Sequence, residues 1–411
     1  MSKTKIVEQE LEDVMVSDDK KSFQRNIPIL FALNIIMRIH FFGSVMIPFF
    51  QDWGGISFSE IMILEAIFTG AIFLFEIPTG TIADKFGRKL SLNLAYITNA
   101  IAVIVYVMYP RFYVFAIGEI IWAVALALNS GANEAIIYDT LLELGREKES
   151  KKLFARLNSY GLIAMMIGTI SGGLIASIGG LKITMTLSAI PLFLAFGLSF
   201  FLKEPSKHKL SKKESPWKIF QKGWKNIKEN KGLRGLIVDM VLLSVIAYYA
   251  IWIWQRRMMV LNVDISYFGL IHAGMMLIQV IVLNLIIPME KLFGSKKRVI
   301  LFTGAGMGIG YILFGISDNV LITIVGMLIT VGLGFSRPVL MKNYMQKHIQ
   351  SEQRATTLST VSMIRMFLLM ILNPVIGILV EMNMVAVLLG LGFVSVIWCF
   401  FSPVSEEYLH D

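Results

Sequence analysis

Apolar runs of about twenty residues follow one another along this chain and are separated by short polar turns. A helix needs about 20 apolar residues to cross a hydrocarbon core of roughly 30 Å. Hydrophobic residues make up 55% of the chain and charged residues only 16%, which argues against a soluble fold. The runs predict an all-α membrane protein, whose twelve spans we number helix 1 to helix 12: 26–50, 58–80, 90–109, 112–138, 157–178, 183–202, 235–255, 267–289, 299–316, 320–336, 355–380 and 384–401.

The basic residues fall mostly on one predicted side of the membrane. Of the 38 Lys and Arg residues, 32 lie in the N-terminal tail or in the loops that follow even-numbered helices. Because cytoplasmic loops carry an excess of Lys and Arg, both termini are predicted to lie in the cytoplasm, with the protein in the cytoplasmic cell membrane. The net charge of +9 is then explained by orientation, and we expect the bilayer and not nucleic acid as the partner.

A hydrophilic segment, 203–234, separates two sets of six spans. The predicted organisation is a tail at 1–25, a helical half at 26–202, this linker, a second half at 235–401 and a tail at 402–411. Ser215 and Pro216 predict a helix start within the linker. Beyond them, apolar residues recur at helical spacing opposite four lysines, which predicts an amphipathic helix on an anionic membrane surface, with a calmodulin-type target as the alternative: Trp217, Phe220, Trp224, Ile227; Lys218, Lys222, Lys225, Lys228.

The polar stretch 76–89, EIPTGTIADKFGRK, lies between two apolar runs. Gly80, Asp84, Gly87, Arg88 and Lys89 in this stretch match the loop between helices 2 and 3 of the major facilitator superfamily, Gly-x-x-x-Asp-x-x-Gly-Arg-Lys. The chain resembles the prokaryotic proton-coupled drug efflux members of that family. The resemblance implies two pseudo-symmetric six-helix bundles with a substrate site between them. A turn that only obeys the positive-inside bias is the alternative.

A weaker copy of this turn follows helix 8. Glu290, Gly294 and the basic run 296–298 repeat the acidic, glycine and basic order at the equivalent place in the second half. The copy supports two related halves around an axis along the membrane normal.

The family resemblance also implies a conformational switch. Asp84 would face the start of helix 11 at 351–357, where the positive end of the helix dipole favours an anion. Arg88 would meet Asp139 at the end of helix 4. The implied switch residues are Gly80, Asp84, Gly87, Arg88 and Asp139.

Arg38 lies near the middle of the predicted helix 1, where a charge is costly unless it is paired or faces a cavity. Its candidate partners are Glu65 in helix 2 and Glu119 in helix 4. The pair is predicted to serve proton coupling or substrate binding, with a purely structural ion pair as the alternative.

Other polar or aromatic residues inside predicted helices complete the expected cavity. They are Trp252 and Gln255 in helix 7, His272 and Gln279 in helix 8, and Arg365 in helix 11. In helix 5, Gly168, Gly172 and Gly173 resemble the antiporter motif Gly-Pro-x-x-Gly-Gly. The same glycines also fit a small-residue packing face, so the two interpretations stay open.

The sequence contains no residue set that predicts catalysis, a metal site or a cofactor. A phosphate-binding loop with its Lys is absent from it, so ATP is not expected as the energy source. The predicted function is proton-coupled export of small amphipathic compounds by alternating access, by a monomer and not an enzyme. The alternatives are an uptake symporter for a nutrient and a membrane sensor without transport activity.

Overall fold

The computed structural model describes residues 3–206, 216–350 and 353–409, and all regular secondary structure in these ranges is helical. Helices 1 to 6 comprise Lys3–Arg38, Phe58–Phe86, Arg88–Met108, Phe112–Asn129 continued by Ala132–Glu143, Ser150–Gly179, and Leu181–Leu187 continued by Ala189–Ser199. The linker contains the helix Pro216–Glu229, while Ser215 lies outside the described residues. Helices 7 to 10 comprise Lys231–Val260, Phe268–Phe293, Lys296–Ile316 and Val320–Lys347.

The last helical segment, Arg354–Phe401, contains two spans. Its 48 residues would measure about 72 Å as one helix, more than twice the bilayer core. At Asn383 the backbone leaves the helical region (φ −160°, ψ 95°), which divides the segment into helix 11 (354–382) and helix 12 (384–401). Eleven helices of the described chain are long and apolar enough to cross a membrane, and this division gives the twelve predicted passes.

Because the number of passes is even, the N-terminal tail, the linker helix and residues 402–409 lie on one side of the membrane. We call it the tail side, and the opposite side the far side. Helices 2, 4, 8 and 10 therefore run from the far side to the tail side.

Helix 1 ends twelve residues earlier than predicted, and the prediction of a continuous helix over 26–50 is wrong. The helix ends at Arg38, and the chain continues through the short turns Phe42–Ser44, Met46–Pro48 and Phe49–Trp53. Helix 5 explains where the break lies, because a Cβ atom on Gly168 would come within 2.8 Å of the His40 nitrogen, and one on Gly172 would overlap the Phe41 carbonyl. The non-helical backbone that follows helix 1 thus packs against these two glycines.

At the start of helix 3, the first backbone N–H groups donate to a carboxylate from the end of the first half. Glu204, which follows helix 6, accepts hydrogen bonds from the backbone N–H groups of Arg88 (2.8 Å) and Lys89 (2.7 Å). Gly87 turns the chain between helices 2 and 3 with a φ of +105°, and a Cβ there would lie 2.9 Å from the Glu204 carboxyl carbon. Only glycine satisfies both conditions.

The second half repeats this arrangement. Glu406, which follows helix 12, accepts from the backbone N–H groups of Lys296 (3.0 Å) and Lys297 (2.9 Å) at the start of helix 9. Gly294 turns the chain with a φ of +63°. The equivalence of Glu204 and Glu406 shows that the weak sequence repeat corresponds to a repeated structure.

A buried ion pair joins the helices of the second half. Arg337 in helix 10 pairs with Asp239 in helix 7, and the two are 2% and 1% exposed. Arg337 also donates to the Thr303 hydroxyl (2.7 Å), while Asp239 accepts from the indole N–H of Trp398 (3.0 Å). The charge count had placed Arg337 in a basic loop. The structure shows that it is a core residue instead.

The two halves meet closely on the far side. Gln255 of helix 7 accepts a hydrogen bond from the Ile47 N–H (2.9 Å) and donates to the Gly43 carbonyl (3.1 Å). Helix 5 and helix 8 touch through backbone atoms, since a Cβ on Gly269 would lie 2.7 Å from the Ile170 Cα and one on Gly173 would lie 2.8 Å from the Gly269 nitrogen. These contacts close the far side.

Toward the tail side, an apolar cavity of 460 Å³ lies between helix 2 and helix 11. Thr69 and Phe73 line it from helix 2, and residues between Met363 and Met370 line it from helix 11. Trp217 and Phe220 of the linker helix complete the lining, and their rings stack at 5.7 Å. The linker helix therefore packs where helix 2 of the first half adjoins helix 11 of the second.

Candidate functional site

Two carboxyl groups lie buried together inside the first half. Glu65 in helix 2 is 6% exposed and Glu119 in helix 4 is 1% exposed. Each lies seven residues from the far-side start of its helix, Phe58 or Phe112, so both lie at a similar depth. Glu119 interacts electrostatically with Glu65 and with Tyr106 of helix 3. Two neighbouring carboxylates in apolar surroundings cannot both stay charged cheaply, so this pair is suited to holding a proton.

The second half reaches this carboxyl pair through one tyrosine. The Tyr248 hydroxyl of helix 7 donates to Glu65 Oε2 at 3.0 Å. Tyr248 lies beside Trp252, with 6.2 Å between ring centroids, and interacts with Asn373 and Arg365 of helix 11. The carboxyl pair is thus placed where a movement of one half against the other would change its surroundings.

The expected ion pair between Arg38 and Glu119 or Glu65 is not formed. Among the side chains that the structure describes, no carboxylate oxygen lies within 4.0 Å of the Arg38 guanidinium. Because helix 1 ends at Arg38, the cation lies at a helix C-terminus, whose partial negative charge of about −0.5 compensates it in part. The prediction assumed an unbroken helix, which would have placed the guanidinium elsewhere.

Arg38 instead lines a polar cavity of 330 Å³ within helices 1 to 4. Phe68 and Trp122 line the same cavity, and each lies one helical turn on the tail side of a buried carboxyl group, Glu65 or Glu119. The remaining lining includes a group of amide side chains: Asn34, Asn99, Asn129 and Asn133. The polar cavity and the carboxyl pair are therefore adjacent.

The other residues predicted for the cavity divide into two groups. Gln255 is 3% exposed and its amide is used in the far-side closure, and its place in the substrate cavity stays a prediction. His272 packs against the ring of Trp254 at 5.8 Å, near the same closure. Trp252 and Arg365 lie around Tyr248, close to the carboxyl pair. Gln279 is half-buried in helix 8, about two helical turns beyond His272.

The structure brings two of the expected switch residues together. Arg88 and Asp139 form an ion pair, and Arg88 Nη1 also donates to the Ala135 carbonyl at 3.1 Å. Asp84 interacts electrostatically with Arg88. Part of the expected helix 11 partner, 351–352, lies outside the described residues. The role of Gly80, Asp84, Gly87, Arg88 and Asp139 as a switch stays a prediction.

The helix 5 glycines are packing residues in this structure. Gly168 and Gly172 contact the backbone that follows helix 1, and Gly173 contacts helix 8. These contacts agree with the small-residue interpretation, while a part in antiport stays a prediction.

Several partnerships between side chains were not predicted from the sequence. Glu204 and Glu406 carried one signal, because each is an acid just beyond the last helix of its half. Glu65 and Glu119 carried another, since their equal depth made them candidates for each other and not only for Arg38. Asp239 and Arg337 lie in different apolar runs, 98 residues apart, and nothing in the sequence pairs them.

Comparison with known proteins agrees with this architecture. A family model described as the Major Facilitator Superfamily matches residues 29–366. The chain is 25% identical over 256 residues to the uncharacterised MFS-type transporter YxaM of Bacillus subtilis (strain 168), and 22% identical over 280 residues to the class C tetracycline resistance protein of Escherichia coli. The matches cover 61% and 64% of this chain and 63% and 65% of those proteins, so less than two thirds of either relative is matched.

Solved structures resemble the whole architecture. The nucleoside transporter NupG superposes with a TM-score of 0.75 at 14% identity, covering 92% of this chain and 98% of that chain. A bacterial homologue of the human lysosomal transporter Spinster, inward-facing and unoccupied, superposes with a TM-score of 0.69 at 14% identity, covering 95% and 96%. At this identity the likenesses show the fold alone. With its twelve passes and the family match over most of its length, the chain belongs to the Major Facilitator Superfamily, a family of multi-pass membrane transporters and not of enzymes.

Proposed function

We propose that this transporter exports small amphipathic compounds in exchange for protons, by alternating access in the cytoplasmic membrane of a prokaryote. The observation that carries the proposal is the buried pair of Glu65 and Glu119, which Tyr248 connects to the other half. The relatives named for tetracycline resistance and for multidrug resistance, the latter MdtG of Salmonella arizonae, support the direction of export.

The proposed cycle uses 26–202 and 235–401 as moving halves, joined by the linker 203–234 and flanked by the tails 1–25 and 402–411. With the far side closed, the carboxyl pair is buried and keeps at least one proton. Opening of the far side separates Tyr248 from Glu65, which admits water and lets the pair exchange protons. Asp84 would hold the tail side closed in that state, positioned by the Arg88–Asp139 pair inside the first half. The partners are the substrate, protons and the bilayer, and the protein acts as a monomer.

An uptake symporter for a nutrient is the second candidate, because the same carboxyl pair would serve proton binding in either direction. A sensor without transport activity is the third. A proton-flux assay separates them, because a sensor moves no protons when a substrate is added, while an antiporter and a symporter move protons in opposite directions relative to the substrate.

We expect Glu65→Gln and Glu119→Gln each to reduce substrate-driven proton flux to the background of empty vesicles. Glutamine keeps the shape of the side chain but cannot carry a proton on and off. The measurement is pH-dye fluorescence in everted vesicles, with cations, drugs and organic anions added in turn. Glu134→Gln, an exposed site on helix 4, is the matched control and should behave as the wild type. Normal flux in both buried variants would remove the proton-coupling role of this pair.

The orientation of the protein in the membrane is tested separately, by cysteine labelling. In a Cys399→Ser background, a cysteine at Ser211 in the linker should react with a membrane-impermeant maleimide only after the cells are opened. Labelling of intact cells would place the tail side outside and reverse the proposed direction of transport.

A further inference from the structure

The polar cavity of helices 1 to 4 contains one unneutralised positive charge. Arg38 is the one Lys, Arg, Asp or Glu among its described lining residues, and His40 is the one imidazole. The two buried acids at a similar depth, Glu65 and Glu119, lie a helical turn beyond the lining and interact with each other and with Tyr248. A cation inside a membrane protein without an acidic partner is unusual, because charges there are normally paired or serve a transported ligand.

The Arg38 side chain is held in place although it has no ion-pair partner among the described residues. It crosses helix 5 at Gly161, where a Cβ atom would lie 2.6 Å from Arg38 Cδ and 2.8 Å from Arg38 Nε. The same Cβ would lie 2.8 Å from the Asn34 Oδ1 atom. Glycine at this position therefore allows both polar side chains to lie where they line the cavity.

Further polar groups in the cavity are free to bind a ligand. Asn34 Oδ1 and Asn129 Oδ1 are buried and have no hydrogen-bond partner in the ranges that the structure covers. Buried polar groups are normally hydrogen-bonded, so these atoms lack a partner that a ligand or water would supply. Asn99 and Asn133 add two more amides to the same lining.

The wall beside the carboxyl pair is aromatic. Trp122 packs edge-on against Phe42 (5.1 Å between ring centroids) and Tyr106 (5.9 Å), and Phe68 lies 6.1 Å away. The cavity is thus polar and positive at one wall and apolar at the other. Its 330 Å³ is at the small end of the range for ligand pockets.

We propose that this cavity binds the anionic head group of the transported substrate. Arg38 forms the ion pair, the asparagine amides hydrogen-bond the head group and its polar substituents, and Phe68 and Trp122 contact the apolar part. The substrate class is a small amphipathic organic acid. This inference rests on the proposed transport function and narrows its substrate.

Binding of matched probes to the purified full-length protein tests the inference. The probes share a naphthalene ring and differ in the group at position 2: carboxylate, sulfonate or phosphate as anions, carboxamide as the neutral isostere, and aminomethyl as the cation. Isothermal titration gives each dissociation constant. We expect at least one anion to bind at least about tenfold more tightly than the carboxamide, as charge-assisted hydrogen bonds are stronger than neutral ones.

Variants at Arg38 and at Gly161 test whether Arg38 causes the preference for anions. Arg38→Gln should abolish the tenfold preference, and Arg38→Lys should keep part of it. Gly161→Ala keeps the charge but displaces the Arg38 side chain, so it should weaken anion binding severalfold, whereas Gly197→Ala, whose Cβ would meet nothing within 4 Å, should not. The melting temperature of each variant shows whether it is folded, and the Gly161 variant provides the test if Arg38→Gln is not.

The inference is overturned if none of the three anions binds the wild type at millimolar concentration. It is equally overturned if the carboxamide binds as tightly as the anions, or if Arg38→Gln keeps the preference. Proton flux driven by a cation in the everted vesicles would also contradict the substrate class while leaving proton-coupled transport in place. Loss of flux in the Glu65 and Glu119 variants with normal anion binding supports both proposals.

Discussion

Replacing Gly269 by alanine should hold the transporter open on the far side. The new Cβ would press on backbone atoms of Thr169 and Ile170, which cannot move aside as a flexible side chain would. Overpacking of this kind costs about 1–3 kcal/mol, which corresponds to a shift of about 5- to 150-fold in a two-state equilibrium. The clash lies between the halves, so the packing inside each half is unaffected.

The measurement is the distance between spin labels on cysteines that replace Tyr113 and Tyr267, two exposed residues on the far side. We expect the variant to add a population at longer distance and to lose most of its transport. Gly173→Ala, from the other side of the same contact, should act in the same direction. Gly390→Ala is the control, because a Cβ there meets nothing within 4 Å. An unchanged distance distribution in a folded Gly269 variant would show that this contact does not close the far side.

Breaking the ion pair of Arg337 and Asp239 should cost more stability than any exposed charge change. Arg337→Met leaves the Asp239 carboxylate buried with only Trp398 and Ser402 as donors. Asp239→Leu leaves the guanidinium buried with no acidic partner. Removing one member of a buried pair typically costs about 3–5 kcal/mol, whereas an apolar replacement of both is close to neutral.

In detergent, the melting temperature of each single variant should therefore lie far below that of the wild type. The melting temperature of the double variant should lie close to it. The ion pair of Arg257 and Asp318 is the control for an exposed charge, because the Asp318 side chain is 89% exposed. Asp318→Asn should cost at most about 1 kcal/mol. A double variant no more stable than the worse single variant would show that the two charges do not stabilise each other.

The sequence predicted the helices better than the side-chain partners. Hydropathy alone gave the twelve passes, because the bilayer sets the length of each apolar run. The turn of Gly87 and Arg88 was found from its motif.

What the sequence did not reveal was the rotation of one helix against another. Each step of one residue along a helix turns a side chain by about 100°, and packing decides which faces meet, so the sequence could not decide whether Arg38 and Glu119 face each other. The end of helix 1 at Arg38 had no local signal either, because it depends on glycines of helix 5 that are more than a hundred residues away. Arg337 was counted with the loops because its acidic partner lies in a distant apolar run.

The lone positive charge of the polar cavity has an electrical consequence. A cell interior is negative, so an anion that leaves the cell moves down the membrane potential, by about 2.3 kcal/mol per charge for each 100 mV. An organic acid bound at Arg38 would therefore leave with the help of the voltage even when the pH gradient is zero. Clamping the potential with potassium and valinomycin would then change the export rate of the acid at constant pH, and the sign of that change would report the charge that crosses the membrane in each cycle.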